Sequence, residues 1–265
     1  MHSYVRPCGE RVVGNNKLRI AIVSSPRCGN TWIRSTLSAA MNLVELSAHN
    51  YLDIAQPLPD RCILQVHWYR EPNYQKWLHS HEFKVITLAR HPLDILVSVT
   101  SFVRYEPMTE RWLEGNAGLP GALRGKAPCS PDFLHYALSF EAENLLAVSY
   151  QWWHEPSALK LRYEDGVADI ERTVLQVARY LGEDIGASRA WLDHASLPKM
   201  QALPNHHGWQ GRPGLWRELI LPQDALRIYL HHRNVFRRLG YSIEPYFYFL
   251  SRKTAEKNWI ALSPC

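Results

Sequence analysis

Four short apolar runs divide the chain: Ile20 to Val23, Arg61 to Val66, Phe83 to Ala89 and Ala158 to Arg162. The first is continuously apolar and reads as a strand buried on both faces, the second as another buried strand, and the third and fourth as strands. A polar turn follows each run, and helical periodicity follows the turn. After the first, Ile33, Leu37, Ala40, Met41 and Val44 fall on one helix face, which predicts a helix to about Leu46. After the third, Pro92 suits a first helical turn, with Leu93, Leu96, Val97, Phe102 and Val103 on its buried side. After the fourth, Ile170, Val174, Val177 and Leu181 share a face, and Gly182 is the expected stop. Further helices are predicted over 133–153 and from Pro222 to Gly240. Strands alternating with helices imply an α/β fold: a central, mostly parallel β-sheet flanked by helices.

The remaining segments carry weaker signals. Residues 1–17 read as a lead-in, 49–58 as loop, 75–79 as a short helix and 188–195 as another. Residues 104–131 hold four glycines (Gly115, Gly118, Gly121, Gly125) and three prolines (Pro107, Pro120, Pro128). A structureless stretch of that length is expected to serve as a lid or acceptor-site insertion. Residues 203–217 read as a loop, and the tail 241–265 is aromatic and basic without a clear role. There is no internal repeat, so a single domain over 1–265 is expected.

Bulk properties narrow the function. The 265 residues are 46% hydrophobic and 21% charged, with a formal net charge of +5. A mild positive balance suits an anionic substrate, while the lack of any Lys/Arg run argues against nucleic acid. Five cysteines (Cys8, Cys28, Cys62, Cys129, Cys265) are widely spaced and form no Cys-x-x-Cys pair. A reduced, cytoplasmic setting follows as the expectation, with no structural zinc or redox dithiol. No apolar h-region opens the chain and no run is long enough to span a bilayer, so no membrane role is expected.

The candidate chemistry sits at the strand ends. The turn Ser24-Ser25-Pro26-Arg27-Cys28-Gly29-Asn30 joins a strand to a helix, an arrangement that points backbone N–H groups at an anion. Arg27 adds a fixed charge, and Asn30 and Thr31 add side-chain donors. The Gly-Lys-Ser/Thr of nucleotide triphosphatases is absent, because Gly29 is followed by Asn30 and Thr31. His67 and Arg90 each lie just past a strand end, where open α/β sheets bind ligands. Ser98 lies two helical turns beyond Arg90, within reach of the same anion. Cys28 has no adjacent base and reads as a small loop residue. His206, His207, His231 and His232 fit no common ligand spacing, so no metal is expected.

Ser25-Pro26-Arg27-Cys28-Gly29-Asn30-Thr31-Trp32 resembles the 5′-phosphosulfate loop of sulfotransferases that use 3′-phosphoadenylyl sulfate (PAPS), roughly Pro-Lys/Arg-Ser-Gly-Thr-Thr-Trp. Arg90-His91-Pro92, with Asp94 and Ser98, resembles that family's 3′-phosphate motif. Gln65-Val66-His67 stands where the family has Lys-Thr-His. Tyr163-Glu164-Asp165 and Ser196-Leu197-Pro198-Lys199-Met200 are similar to its adenine-contacting segments. Gly211-Arg212-Pro213-Gly214 is similar to its late phosphate-closing loop. The resemblance covers about 18–240. It implies a P-loop-like sulfotransferase fold and transfer of a sulfuryl group from PAPS to a hydroxyl or amine of a small acceptor, aromatic or polycyclic molecules being candidates, with PAP (3′-phosphoadenosine 5′-phosphate) as product.

The resemblance also implies roles residue by residue. His67 would be the base, and Arg27 would offset charge on the leaving phosphate. Arg27, Cys28, Gly29, Asn30 and Thr31 would hold the phosphosulfate. Arg90, Ser98, Gly211 and Arg212 would hold the 3′-phosphate. Trp32, Tyr163, Ser196 and Leu197 would flank adenine. No metal is implied. Three departures stand out: Gln65 for a lysine, Leu197 for a phenylalanine, and Trp209-Gln210 for an Arg-Lys pair, which leaves Arg212 as the nearest guanidinium. The competing readings are a P-loop kinase-like protein and a nucleotide-binding protein without catalysis.

Overall fold

The structure is a computed structural model that describes residues 17–119, 121–203, 208–244 and 248–262. The predicted lead-in, the pair His206-His207, Cys8 and Cys265 lie outside the described residues. Five strands form one sheet: β1 (Leu18–Val23), β2 (Val44–Ala48), β3 (Arg61–Val66), β4 (Phe83–Ala89) and β5 (Leu159–Arg162). Their order is β2-β3-β1-β4-β5, and every pairing is parallel. Ile20, Ala21, Ile22 and Val23 have no exposed surface, as a central strand covered on both faces requires.

The strand order reverses direction at β1, which has β3 on one side and β4 on the other. A crevice therefore opens at the carboxyl ends of these three strands. Helix α1 (Asn30–Met41) follows β1, α2 (Pro72–Ser80) follows β3, and α3 (Pro92–Phe102) follows β4. All eleven residues of α3 are buried, so the helix is enclosed on every side, its polar Asp94 and Ser98 included. Next come α4 (Pro131–Ala137) and α5 (Phe140–Trp152). Beyond β5 lie α6 (Tyr163–Ala168), α7 (Ile170–Leu181), α8 (Leu197–Gln201), α9 (Pro222–His231), α10 (Arg233–Leu239) and α11 (Arg252–Leu262).

Several elements depart from the sequence reading. The first helix does not reach Leu46. Asn42 adopts a left-handed conformation (φ 52°) and closes α1, after which residues 44–48 pair as an edge strand with Val44 exposed. The helix predicted over 133–153 is two helices, because Ser139 Oγ caps α5 by accepting from Ala142 N at 3.4 Å. The helix from Pro222 breaks at His232, whose Nε2 donates to Ala137 O at 2.8 Å from a buried position. The tail carries α11, anchored by buried Ala255 and Trp259.

The segment 104–131 is not structureless. It forms 3-10 turns over Pro107–Gly115 and Gly121–Leu123, and it sinks Trp112, Leu113, Ala117, Leu119 and Leu123 into the core. Leu113 and Glu114 both hold positive φ (53° and 57°), a conformation uncommon for side chains of this size. Asn50 Nδ2 donates to Glu114 Oε1 at 2.8 Å and ties this segment to the loop after β2.

Candidate active site

One cleft of about 570 Å³ lies over the carboxyl ends of β1, β3 and β4, in the range usual for ligand sites. Arg27, Gly29, Thr31, Trp32, His67, Arg90, Ser98, Tyr163, Leu197, Gly211 and Arg212 all line it. Residues separated by almost the whole chain thus share one cavity.

The basic end is built by the turn after β1. Arg27 (φ 66°) and Gly29 (φ 91°) both take left-handed conformations, which brings the chain sharply round into α1. A Cβ on Gly29 would lie 2.7 Å from Tyr163 Cδ2, so close packing as well as φ demands glycine here. Arg27 Nε donates to Ser98 Oγ at 3.1 Å, and Arg90 Nη1 donates to Arg27 O at 2.9 Å. The Arg27 guanidinium lies 4.2 Å over the Phe102 ring, and that of Arg90 lies 4.3 Å over Tyr163. Burial, with Arg90 nearby, pulls the pKa of Arg27 down to about 9, which still leaves it charged at neutral pH. A half-buried and a buried guanidinium lining one cleft favour an anion there. Arg90 is 8% exposed, and its Nε has no hydrogen-bond partner.

Two residues of the turn face the other way. The Cys28 thiol is fully buried 3.6 Å from Ser149 Oγ, and burial pushes its pKa up to about 12. The expectation that the Asn30 side chain donates to a ligand is corrected. That side chain is buried and holds the turn together: its Nδ2 donates to Ser25 O at 2.9 Å, and its Oδ1 accepts from Ser24 Oγ. What Cys28 and Asn30 offer a ligand is backbone N–H, at the start of a helix whose N-cap, Gly29, has no side-chain acceptor.

His67 sits one residue past β3. Its Nδ1 is 2.7 Å from Ser24 O, an atom that can only accept, so Nδ1 carries the proton and Nε2 has the lone pair. Burial pulls the imidazole down to about 4 against the hydrogen bond to Ser24, helped by His49 and then by the positive charges of Arg34 and Arg27. At neutral pH it is therefore an unprotonated base. Gln65 Nε2 lies 3.3 Å from His67 Nε2, and the Gln65 amide oxygen accepts from Arg34 Nη1 at 3.1 Å and Thr31 Oγ1 at 3.4 Å.

At the far end Trp32 meets Tyr163 edge to face, with centroids 5.7 Å apart, and its Nε1 donates to Ala195 O at 2.8 Å. Leu197 and Gly211 pack closely: a Cβ on Gly211 would lie 3.1 Å from Leu197 Cδ1. The late loop is held down by buried Asp94, which accepts from Gly214 N at 2.7 Å and Trp216 N at 3.0 Å. Ser196 is not part of the cavity wall, contrary to expectation. It is exposed, and its Oγ donates to Asp193 O at 2.9 Å. Arg212 reaches the rim, but Glu218 holds its guanidinium through two bonds, at 2.6 and 3.0 Å.

The opposite end contains residues that sequence reasoning did not assign: His49, Phe102, Glu106 and Trp112. Phe102 stacks on Trp112 (5.9 Å, 15°), and Trp112 faces His67 at 6.5 Å. Arg34 was also missed, although it lies three residues after Thr31 and so on the same helix face. Among the described residues, no group of three or more His, Cys, Asp or Glu side chains is placed to hold a metal, and no helix is long and apolar enough to cross a membrane.

A parallel sheet with a basic pocket at the β1 turn and an unprotonated imidazole facing it defines a group-transfer enzyme acting on an anionic donor. A sulfotransferase-domain family profile matches residues 17–207, and the chain belongs to that family. No curated protein matches the chain. Among solved structures, mouse sulfotransferase SULT7A1 complexed with PAP superposes with a TM-score of 0.63 at 16% identity, covering 83% of this chain and 84% of the other. Retinol dehydratase with androsterone and PAP gives 0.53 at 15% identity, covering 84% of this chain and 82% of the other. The same enzyme with retinol and PAP gives 0.51 at 16%, covering 84% and 83%. At these identities the likeness is one of fold.

Proposed function

We propose that this sulfotransferase takes PAPS as donor and a small molecule with a nucleophilic hydroxyl or amine as acceptor, and releases PAP. The observation that carries the reading is the contact of Arg27 with Ser98 and Arg90, in the same cleft as His67. Bound PAPS supplies the sulfuryl group. Arg90 and Ser98, both lining the cleft, bind the 3′-phosphate. Backbone N–H groups from Cys28 to Thr31, with Arg27 and the Thr31 hydroxyl, bind the 5′ end. Trp32, Tyr163 and Leu197 flank the adenine, and Gly211, packed on Leu197, stands with the 3′-phosphate residues. Arg212 joins them only after leaving Glu218.

The attacking hydroxyl or amine replaces the Gln65 amide N–H at His67 Nε2, which then takes its proton, while Nδ1–H stays on Ser24 O. Arg27 meets the charge that moves onto the leaving phosphate. Phe102, Trp112 and Glu106, from α3 and the segment after it, wall the acceptor space. A flat apolar acceptor suits the two stacked rings, and the complexes of retinol dehydratase with retinol and androsterone support that class. The kinase-like reading is not favoured, since the turn lacks Gly-Lys-Ser/Thr. Incubation with labelled PAPS and a panel of phenols, sterols and aryl amines, read by mass spectrometry, tests the proposal. Sulfated product that disappears with His67→Ala is expected, and absence of product or PAP across the panel would count against it.

A further inference from the structure

Gln65 is placed so that the orientation of its amide decides what His67 meets. If the NH2 faces Nε2, the imidazole lone pair receives a donor and the neutral ring is favoured. If the oxygen faced Nε2, an imidazolium would be favoured instead. Two donors converge on the opposite amide atom, Arg34 Nη1 at 3.1 Å and Thr31 Oγ1 at 3.4 Å, so that atom is the oxygen. The two donors are not equivalent. A threonine hydroxyl turns to donate or accept, and so tolerates either amide orientation. A guanidinium can only donate, and it fixes the amide. Arg34 is itself held: its Nε donates to Glu45 Oε2 at 2.8 Å, from the edge strand β2.

We propose that Arg34 is a positioning residue for the base: anchored by Glu45, it locks the Gln65 amide with its NH2 toward His67 Nε2 and so keeps that nitrogen unprotonated. The chain Glu45–Arg34–Gln65–His67–Ser24 joins β2, α1, β3 and the turn after β1. Other groups also face the imidazole. Arg27 approaches from the turn and His49 from the loop after β2, and the Trp112 ring and Glu106 lie on the acceptor side of the cleft. Arg27 and His49 act on the ring through charge, whereas Arg34 also acts through the amide, and this distinction can be measured. The inference rests on His67 being the base of the proposed reaction, but its test does not require that reaction.

The test is a pH titration of imidazole ¹⁵N shifts in the ligand-free protein, with the His67 signals identified by their loss in His67→Ala. The wild type should show the Nδ1–H tautomer and a midpoint well below that of an ordinary histidine. Arg34→Met should raise the midpoint by about one pH unit, and Arg34→Lys, which also only donates, should return it most of the way. In a Gln65→Leu background the effect of Arg34→Met should fall to less than half, because there is no amide left to orient. Equal shifts in both backgrounds would reduce Arg34 to a charge and overturn the proposal, as would an unmoved midpoint in Arg34→Met. If Arg34→Met fails to fold, Glu45→Gln is the second probe: a smaller rise supports the chain of contacts and none contradicts it. Failure of wild-type protein to bind PAP would count against the donor reading and leave this titration unaffected.

Discussion

Arg27 Nε donates to Ser98 Oγ across 3.1 Å, joining the turn after β1 to a helix that begins beyond β4. The bond spans 71 residues of sequence and places both partners in the wall of one cleft. Hydrogen bonds to charged groups contribute about 1.5–3 kcal/mol. Ser98→Ala should therefore weaken PAP binding about ten- to hundredfold by calorimetry, with the circular dichroism spectrum unchanged.

His67 is held neutral by burial, with Nδ1 on Ser24 O and Nε2 lying 3.3 Å from the Gln65 amide nitrogen at the cleft wall. Replacement by Ala should lower kcat by about 10²–10⁴-fold, the usual worth of a general base, while the Kd for PAP stays near the wild-type value. The pH dependence has a definite sign. The folded-state pKa, about 4, lies below the ordinary value of 6.5, so the unfolded chain binds more protons between those limits. The contribution of His67 to stability is therefore present above pH 6.5 and is lost as pH falls toward 4. His67→Phe should flatten that part of the stability curve in urea titrations from pH 4 to 7.

Gly29 combines φ of 91° with a Tyr163 carbon 2.7 Å from where a Cβ would stand. Gly29→Ala should cost about 1–3 kcal/mol from backbone strain alone, and should displace Tyr163 from beneath Arg90. A drop in Tm together with weakened PAP binding is the expected pair of results. A Tm change without any change in PAP affinity would separate Gly29 from the site.

Asp94 is buried and accepts two backbone N–H bonds from the late loop, so its role is to hold that loop over the cleft. Asp94→Ala leaves two amides unpartnered and should destabilise the protein by about 2–4 kcal/mol. Hydrogen exchange should quicken at residues 211–216 ahead of the sheet.

Four of the five strands were legible because each is a short, largely apolar run closed by a polar turn, and the basic end of the cleft because Arg27, Arg90 and Ser98 sit at fixed distances from strand ends. What escaped the sequence reading has physical reasons. Residues 44–46 read as the end of a helix because Val44 continues the period of Ile33 and Leu37, and the stop lies in one left-handed Asn42. Nothing local distinguishes the inward side chains of Cys28 and Asn30 from outward ones, since their partners, Ser149 and Ser24, are fixed by the packing of α5 and the turn. Trp112 reaches the cleft through a loop whose path depends on two residues in the left-handed region. Arg212 and Ser196 matched a pattern, yet Glu218 and Asp193 take up their polar atoms.

A comparison of PAP, 5′-AMP and Mg-ATP by thermal shift tests the double anion grip most directly. At a ligand concentration of 100 Kd, PAP should stabilise the protein by about 2.7 kcal/mol and raise Tm by several degrees. 5′-AMP, which lacks the phosphate assigned to Arg90 and Ser98, should do much less at the same concentration, and Mg-ATP should do nothing. Equal shifts for PAP and 5′-AMP, or a larger shift for Mg-ATP, would contradict the account.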